Sequence, residues 1–139
     1  MSQDHPAVVH TVIHFPIQRV WQALVDPADI ARYMFGAQVT SDWQEGSPII
    51  WEGEFKGKLF KDTGRVLVAK APHLLRYTHR SSQREHTVTV ELREVAGTTH
   101  LRLTQENNVD EAARRRAENN WTAMLDGLKV WLGEAPVRS

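Results

Sequence analysis

The chain has 139 residues, 17 of them basic and 17 acidic, and a formal net charge of zero. That balance leaves no basic surplus for nucleic acid or for an anionic membrane surface. The absence of cysteine excludes disulfides, thiolate metal sites and a cysteine nucleophile.

The length is that of one domain, read as residues 1–139 with its core over about residues 8–132, and a chain of this size buries about two thirds of its unfolded surface. The opening MSQDHPAVVH has neither a basic stretch nor an apolar run, so no signal peptide is expected. No segment reaches the ~20 apolar residues of a membrane span. A cytoplasmic setting is the expectation.

In chain order, Ala7 to His14 is β-branched and apolar, which predicts a strand. Pro16 suits the first position of a helix, and Ile17, Val20, Trp21, Leu24 and Val25 recur at intervals of three and four. Asp26-Pro27 closes that helix and starts a second, with Asp26 as N-cap, running to about Tyr33 before Gly36.

From Ala37 to Asn107 the pattern is one of successive antiparallel strands. Ile49, Trp51, Gly53 and Phe55 share one face, and Lys56-Gly57 makes a turn. A long strand follows over Leu59 to Lys70, with a bulge expected near Asp62-Thr63-Gly64, and Ala71-Pro72 ends it. Leu75, Tyr77 and His79 form the inward face of the next strand. Ser81-Ser82-Gln83 reads as a polar turn. His86, Val88, Val90 and Leu92 then alternate with polar residues, and after the Ala96-Gly97 hairpin so do Thr99, Leu101 and Leu103. Strict alternation means one buried and one wet face, as in an antiparallel sheet.

The last element is a long helix over about Val109 to Leu132, with Asn108 as N-cap and Glu111 completing a capping box. Its apolar stripe is Ala113, Ala117, Trp121, Met124, Leu128 and Trp131, and Gly133 and Pro136 stop it. Trp21, Trp121 and Trp131 all fall on faces expected to be buried.

No nucleophile elbow, phosphate loop or zinc motif is present. His10 and His14 lie on a strand, where four residues span about 13 Å, too far to share an ion. Neither a metal nor a cofactor is implied. Arg114-Arg115-Arg116 is the only basic run; it could form an anion or partner patch, but a solvated helix face is the preferred reading.

Trp51, Phe55 and Tyr77 project from the inner face of the sheet, with Trp121, Met124 and Leu128 opposite on the helix. His79, His86 and Gln105 are inward by parity, in line with Val88 and Val90. An apolar lining with a few placed polar groups is the composition of a ligand cavity.

The order of elements resembles the helix-grip fold of the START/SRPBCC superfamily. Within it the chain is similar to the family named after the C-terminal domain of the heat-shock-protein-90 ATPase activator. The resemblance is carried by Phe15-Pro16 leading into Val20-Trp21-Gln22-Ala23-Leu24 and Asp26-Pro27, and by Gly64-Arg65-Val66 with Pro72, Leu75 and Tyr77 downstream. Thr99-His100-Leu101-Arg102-Leu103 and Asn120-Trp121 with Leu125 and Leu128 complete it. It covers about His10 to Leu132.

Two places depart from the family pattern: Glu45-Gly46-Ser47-Pro48 before a strand, and His79 where an aromatic is common. The resemblance implies an α+β fold in which a curved antiparallel sheet of about six or seven strands wraps a long C-terminal helix, with two short helices after the first strand. It implies an apolar or aromatic, lipid-like ligand between sheet and helix. Two further activities go with it: regulation of a chaperone through a protein partner, and cyclase- or hydrolase-type catalysis with a histidine base. An additional N-terminal domain like that of the co-chaperone is not expected, and with it chaperone activation is the less favoured reading.

Overall fold

A computed structural model describes residues 5–34, 36–81 and 84–134; the side chain of Phe55 and residues Ser82, Gln83 and Pro136 lie outside it. The chain runs β1 (Ala7–Ile13), α1 (Ile17–Val25), α2 (Pro27–Tyr33), β2 (Gln38–Thr40), β3 (Pro48–Phe55), β4 (Lys58–Lys70), β5 (Leu74–Arg80), β6 (Glu85–Val95), β7 (Thr98–Gln105) and α3 (Glu111–Leu132). The seven strands form one antiparallel sheet in the order β1-β7-β6-β5-β4-β3-β2. This is the helix grip: the sheet curls about α3, and its inner face carries the core. No helix among the described residues is long and apolar enough to cross a membrane.

Local chemistry explains most of the boundaries. Asp26 caps α2, its carboxylate accepting from the Ala28 N–H at 2.9 Å. Pro16 is extended at φ −66° and ψ 152°, so it is the N-cap of α1 rather than its first helical residue. The β6–β7 hairpin turns through Ala96 and Gly97, both at positive φ, as a two-residue loop matching the strand twist requires.

Three further expectations are corrected. The bulge in β4 lies between Val66 and Val68, not at Asp62-Thr63-Gly64. Gly64 instead sits where β4 and β5 approach so closely that a Cβ would collide with the Thr78 carbonyl. The N-cap of α3 is Asp110, whose carboxylate accepts from the Ala113 N–H at 2.8 Å. Asn108 is buried, and its amide donates to the backbone oxygens of His5 and Gln105. Trp131 is exposed (42%): its indole donates to Asp29 at 2.7 Å, and the Arg32 guanidinium lies over its ring. Tethering to α2 therefore holds Trp131 at the surface, while Leu128 and Leu132 beside it pack on the core.

The core joins both sides of the grip. Val9 and Ile13 of β1, Val20 of α1, Ile49 of β3, Leu75 of β5 and Leu101 and Leu103 of β7 cluster with Leu125 and Leu128 of α3. Two long-range contacts set α3 alongside β1: Glu118 accepts from the Val8 N–H at 3.1 Å, and Lys129 donates to the Thr11 hydroxyl at 3.3 Å.

Candidate functional site

Along α3 the inward side chains change in size. Leu125 and Leu128 are buried and close the interface toward the C-terminal end. One and two turns before Trp121 the same face carries only Ala117 and Ala113. Alanine does not span the gap to the sheet, and a cleft of about 530 Å³ opens there, with both alanines in its wall.

The floor comes from β3 to β7. Trp51 pairs with Asp62 across β3 and β4, and Gly53 with Phe60, whose ring covers the bare glycine. Trp51 and Tyr77 pack with ring centroids 5.8 Å apart. His79 and His86 face each other directly across β5 and β6. Gln105 lies opposite Val88 on β7. Deeper between sheet and helices, a void of about 20 Å³ shares Met34, Trp51, Tyr77, Trp121 and Met124 with the cleft.

Seven of the residues expected at a ligand site line the cleft: Trp51, Tyr77, His79, His86, Gln105, Trp121 and Met124. Val88, Val90 and Leu128 are in the closed core, each 2% exposed or less. Phe55's side chain is outside the described residues.

The polar groups are held by specific bonds. His79 Nε2 lies 2.9 Å from Asp62 Oδ2. With the carboxylate accepting, Nε2 carries the proton and Nδ1 is left with a lone pair. The Trp51 ring meets the His79 ring edge-on at 4.7 Å. Burial pushes the His79 pKa below the usual imidazole value, against the raising effect of Asp62 and with a further lowering from His86.

His86 Nδ1 donates to the Glu106 carbonyl at 2.9 Å. The Trp121 indole donates to Gln105 at 2.7 Å, and the Gln105 amide donates to Asn108 at 2.9 Å. The cleft thus has an aromatic floor, a neutral imidazole at pH 7 in His79, and a rigid amide–indole chain.

Sequence reasoning missed Asp62 and Phe60. Both share the parity of Val66, and with the bulge beyond Val66 the inward series Phe60, Asp62, Gly64, Val66 is unbroken. It also missed Arg84 and Arg116, which line the cleft from the residue before β6 and from α3. A larger recess of about 580 Å³ lies around Trp43, but its acids serve the backbone: Asp42 accepts from the Gln44 N–H and Glu45 from the Ala69 N–H. Among the described residues no group of three His, Asp or Glu side chains could hold a metal ion.

Residues 14–133 match the family described as Activator of Hsp90 ATPase homolog 1-like protein. The solution structure of a Cytophaga hutchinsonii protein is 42% identical, with a TM-score of 0.83 over 95% of this chain and 96% of that one. CalU16 from Micromonospora echinospora is 21% identical, with a TM-score of 0.76 over 94% of this chain and 77% of its own. DynU16, a putative protein in the dynemicin biosynthetic locus, is 17% identical with a TM-score of 0.80, and this chain spans 49% of its length. The last two likenesses are of fold alone. No curated protein matches the chain significantly. The family match over residues 14–133 and the 42% identical structure agree with the helix-grip architecture, and the chain belongs to the Activator of Hsp90 ATPase homolog 1-like family.

Proposed function

We propose that this protein is a small-molecule binding domain that takes an apolar or aromatic compound between the sheet and the N-terminal half of α3. The single observation that carries this reading is the cleft of about 530 Å³, floored by Trp51, Phe60 and Tyr77 and punctuated by His79, His86 and Gln105. Ligand pockets in general run from about 300 to 1,000 Å³ and combine an apolar lining with a few fixed polar groups. The occurrence of a protein of this fold in a biosynthetic locus is in keeping with a small-molecule ligand.

A thermal-shift and NMR screen against lipids and aromatic polyketide-like compounds tests the reading. A true ligand at a hundredfold excess over its Kd stabilises by about 2.7 kcal/mol. Its NMR shifts fall on Trp51, Tyr77 and Met124, and Ala117→Trp, which fills the cleft, abolishes them. No response to any compound overturns the proposal.

A second reading, catalysis with His79 as general base, is favoured by the Asp62 contact. Nε2–H donating to Asp62 orients the ring, and burial keeps it neutral and able to accept a proton at pH 7. Turnover of an identified ligand that survives both His79→Ala and His86→Ala overturns this second reading. The chaperone reading draws on the family's description alone, and stimulation of the chaperone's ATPase by this chain would favour it.

A further inference from the structure

We propose that the ligand of this cleft is an amphiphile: an apolar body carrying an anionic group, carboxylate or phosphate, received by Arg116 and Arg84. The inference rests on the binding reading above and names the chemistry of the ligand's polar end.

The basic run on α3 divides between two tasks. Arg114 is bound to Glu111 and, at 2.7 Å, to Glu118. Arg115 lies 4.0 Å from Glu111. Arg116 pairs with no carboxylate among the described residues and lines the cleft. On the sheet side, Arg84 also lines it, and among the described residues its guanidinium reaches neutral acceptors, the backbone and side-chain oxygens of Asn107, both at 3.3 Å.

Asp62, the one carboxylate among the described residues of the cleft wall, is hydrogen-bonded to His79. Two guanidinium charges therefore face one carboxylate among the described lining residues, in a chain whose formal charge is zero. The ionised Asp62 offsets one of these charges, and the surplus positive charge, with Arg116 exposed at the cleft's edge, favours an anionic group on the ligand. Guanidinium donors suit carboxylate and phosphate oxygens, which they can bind in pairs. Asn120, one turn beyond Arg116, and Ser81 add neutral polar groups to the same wall. The aromatic floor matches the other end of the molecule. A free anion would leave Trp51, Phe60 and Tyr77 without a partner.

The test is calorimetric titration of the full chain with two matched pairs, dodecanoate against dodecanol and pyrenebutanoate against pyrenebutanol. A charge-assisted hydrogen bond predicts that in at least one pair the acid binds about tenfold or more tightly than its alcohol. Arg84→Gln with Arg116→Gln removes most of that preference, while Arg115→Gln, on the solvated side, retains it. Inorganic phosphate at millimolar concentration does not displace the bound acid.

Equal binding of acid and alcohol overturns the charge assignment and leaves the binding reading standing. A preference that persists in the double variant, or displacement by inorganic phosphate alone, overturns it as well. Binding of neither pair overturns this proposal, and the compound screen then decides separately whether the cleft binds anything.

Discussion

The two halves of the helix–sheet interface are built by one helix with one periodicity, and they differ only in what stands at the inward positions. Toward the C-terminal end of α3, Leu125 and Leu128 complete the core. Toward the N-terminal end, Ala113 and Ala117 leave the cleft. The polar groups follow the same division. His79, His86, Gln105 and Asp62 lie in the wall of the open half, while the closed half is walled by apolar side chains, aliphatic residues with Tyr33 and Phe15. A binding site here is a stretch of core in which side-chain volume is withheld and the exposed sheet is repopulated with hydrogen-bonding groups.

Leu128→Ala attacks the closed half and has the largest expected cost. A fully buried leucine truncated to alanine loses about 2–5 kcal/mol, read from urea unfolding. A cost under 1 kcal/mol would show that the closed half is as loosely packed as the open one. Gly64→Ala comes next, at about 1–3 kcal/mol, because its methyl group would meet the Thr78 carbonyl and force β4 and β5 apart. It also displaces Trp51, whose ring borders the same glycine, so ligand binding weakens together with stability.

Acid separates the halves by pH window. Asp29, which anchors α2 to Trp131, has a pKa held below the usual carboxylate value, chiefly by its hydrogen bond from Arg19 and against the opposing effect of burial. The stability it contributes is present above about pH 4 and lost as pH falls toward the folded value. His79 in the open half is also depressed, so the unfolded chain binds its proton first and stability declines on acidification from about pH 6.5. His79→Gln removes the upper step and Asp29→Asn the lower one in a series of melting curves. A pH 5 to 7 profile unchanged by His79→Gln would contradict the assignment. The smallest effect on folding is expected for Ala117→Leu: within about 0.5 kcal/mol of wild type, since the added carbons enter the cleft, yet with ligand uptake reduced.

The sheet and the helices were legible because periods of two and of 3.6 are written directly in side-chain polarity. His79, His86 and Gln105 fall on the inward face by counting alone. Asp62 and Phe60 did not emerge, because a bulge placed three residues too early breaks the parity that joins them to Val66. The cap of α3 was shifted by two residues, since Asn108 and Asp110 both have capping side chains, and only the tertiary pull of His5 and Gln105 on Asn108 separates them. Trp131 matched the apolar stripe, yet Asp29 and Arg32, about a hundred residues away in sequence, hold it at the surface. Arg84 and Arg116 were hidden because a long side chain at a strand entrance or a helix edge can point several ways, and periodicity does not choose among them.

The edge-on contact between Trp51 and His79, with rings 4.7 Å apart, has an optical consequence. An indole against an imidazole changes its emission when the imidazole gains a proton, because the charged ring is the stronger quencher. Trp51 is thus a built-in indicator of the protonation state of the cleft. Because the chain holds five tryptophans, the expected signal is the difference in emission between the wild type and Trp51→Phe, which follows the protonation of His79 and its displacement by a ligand.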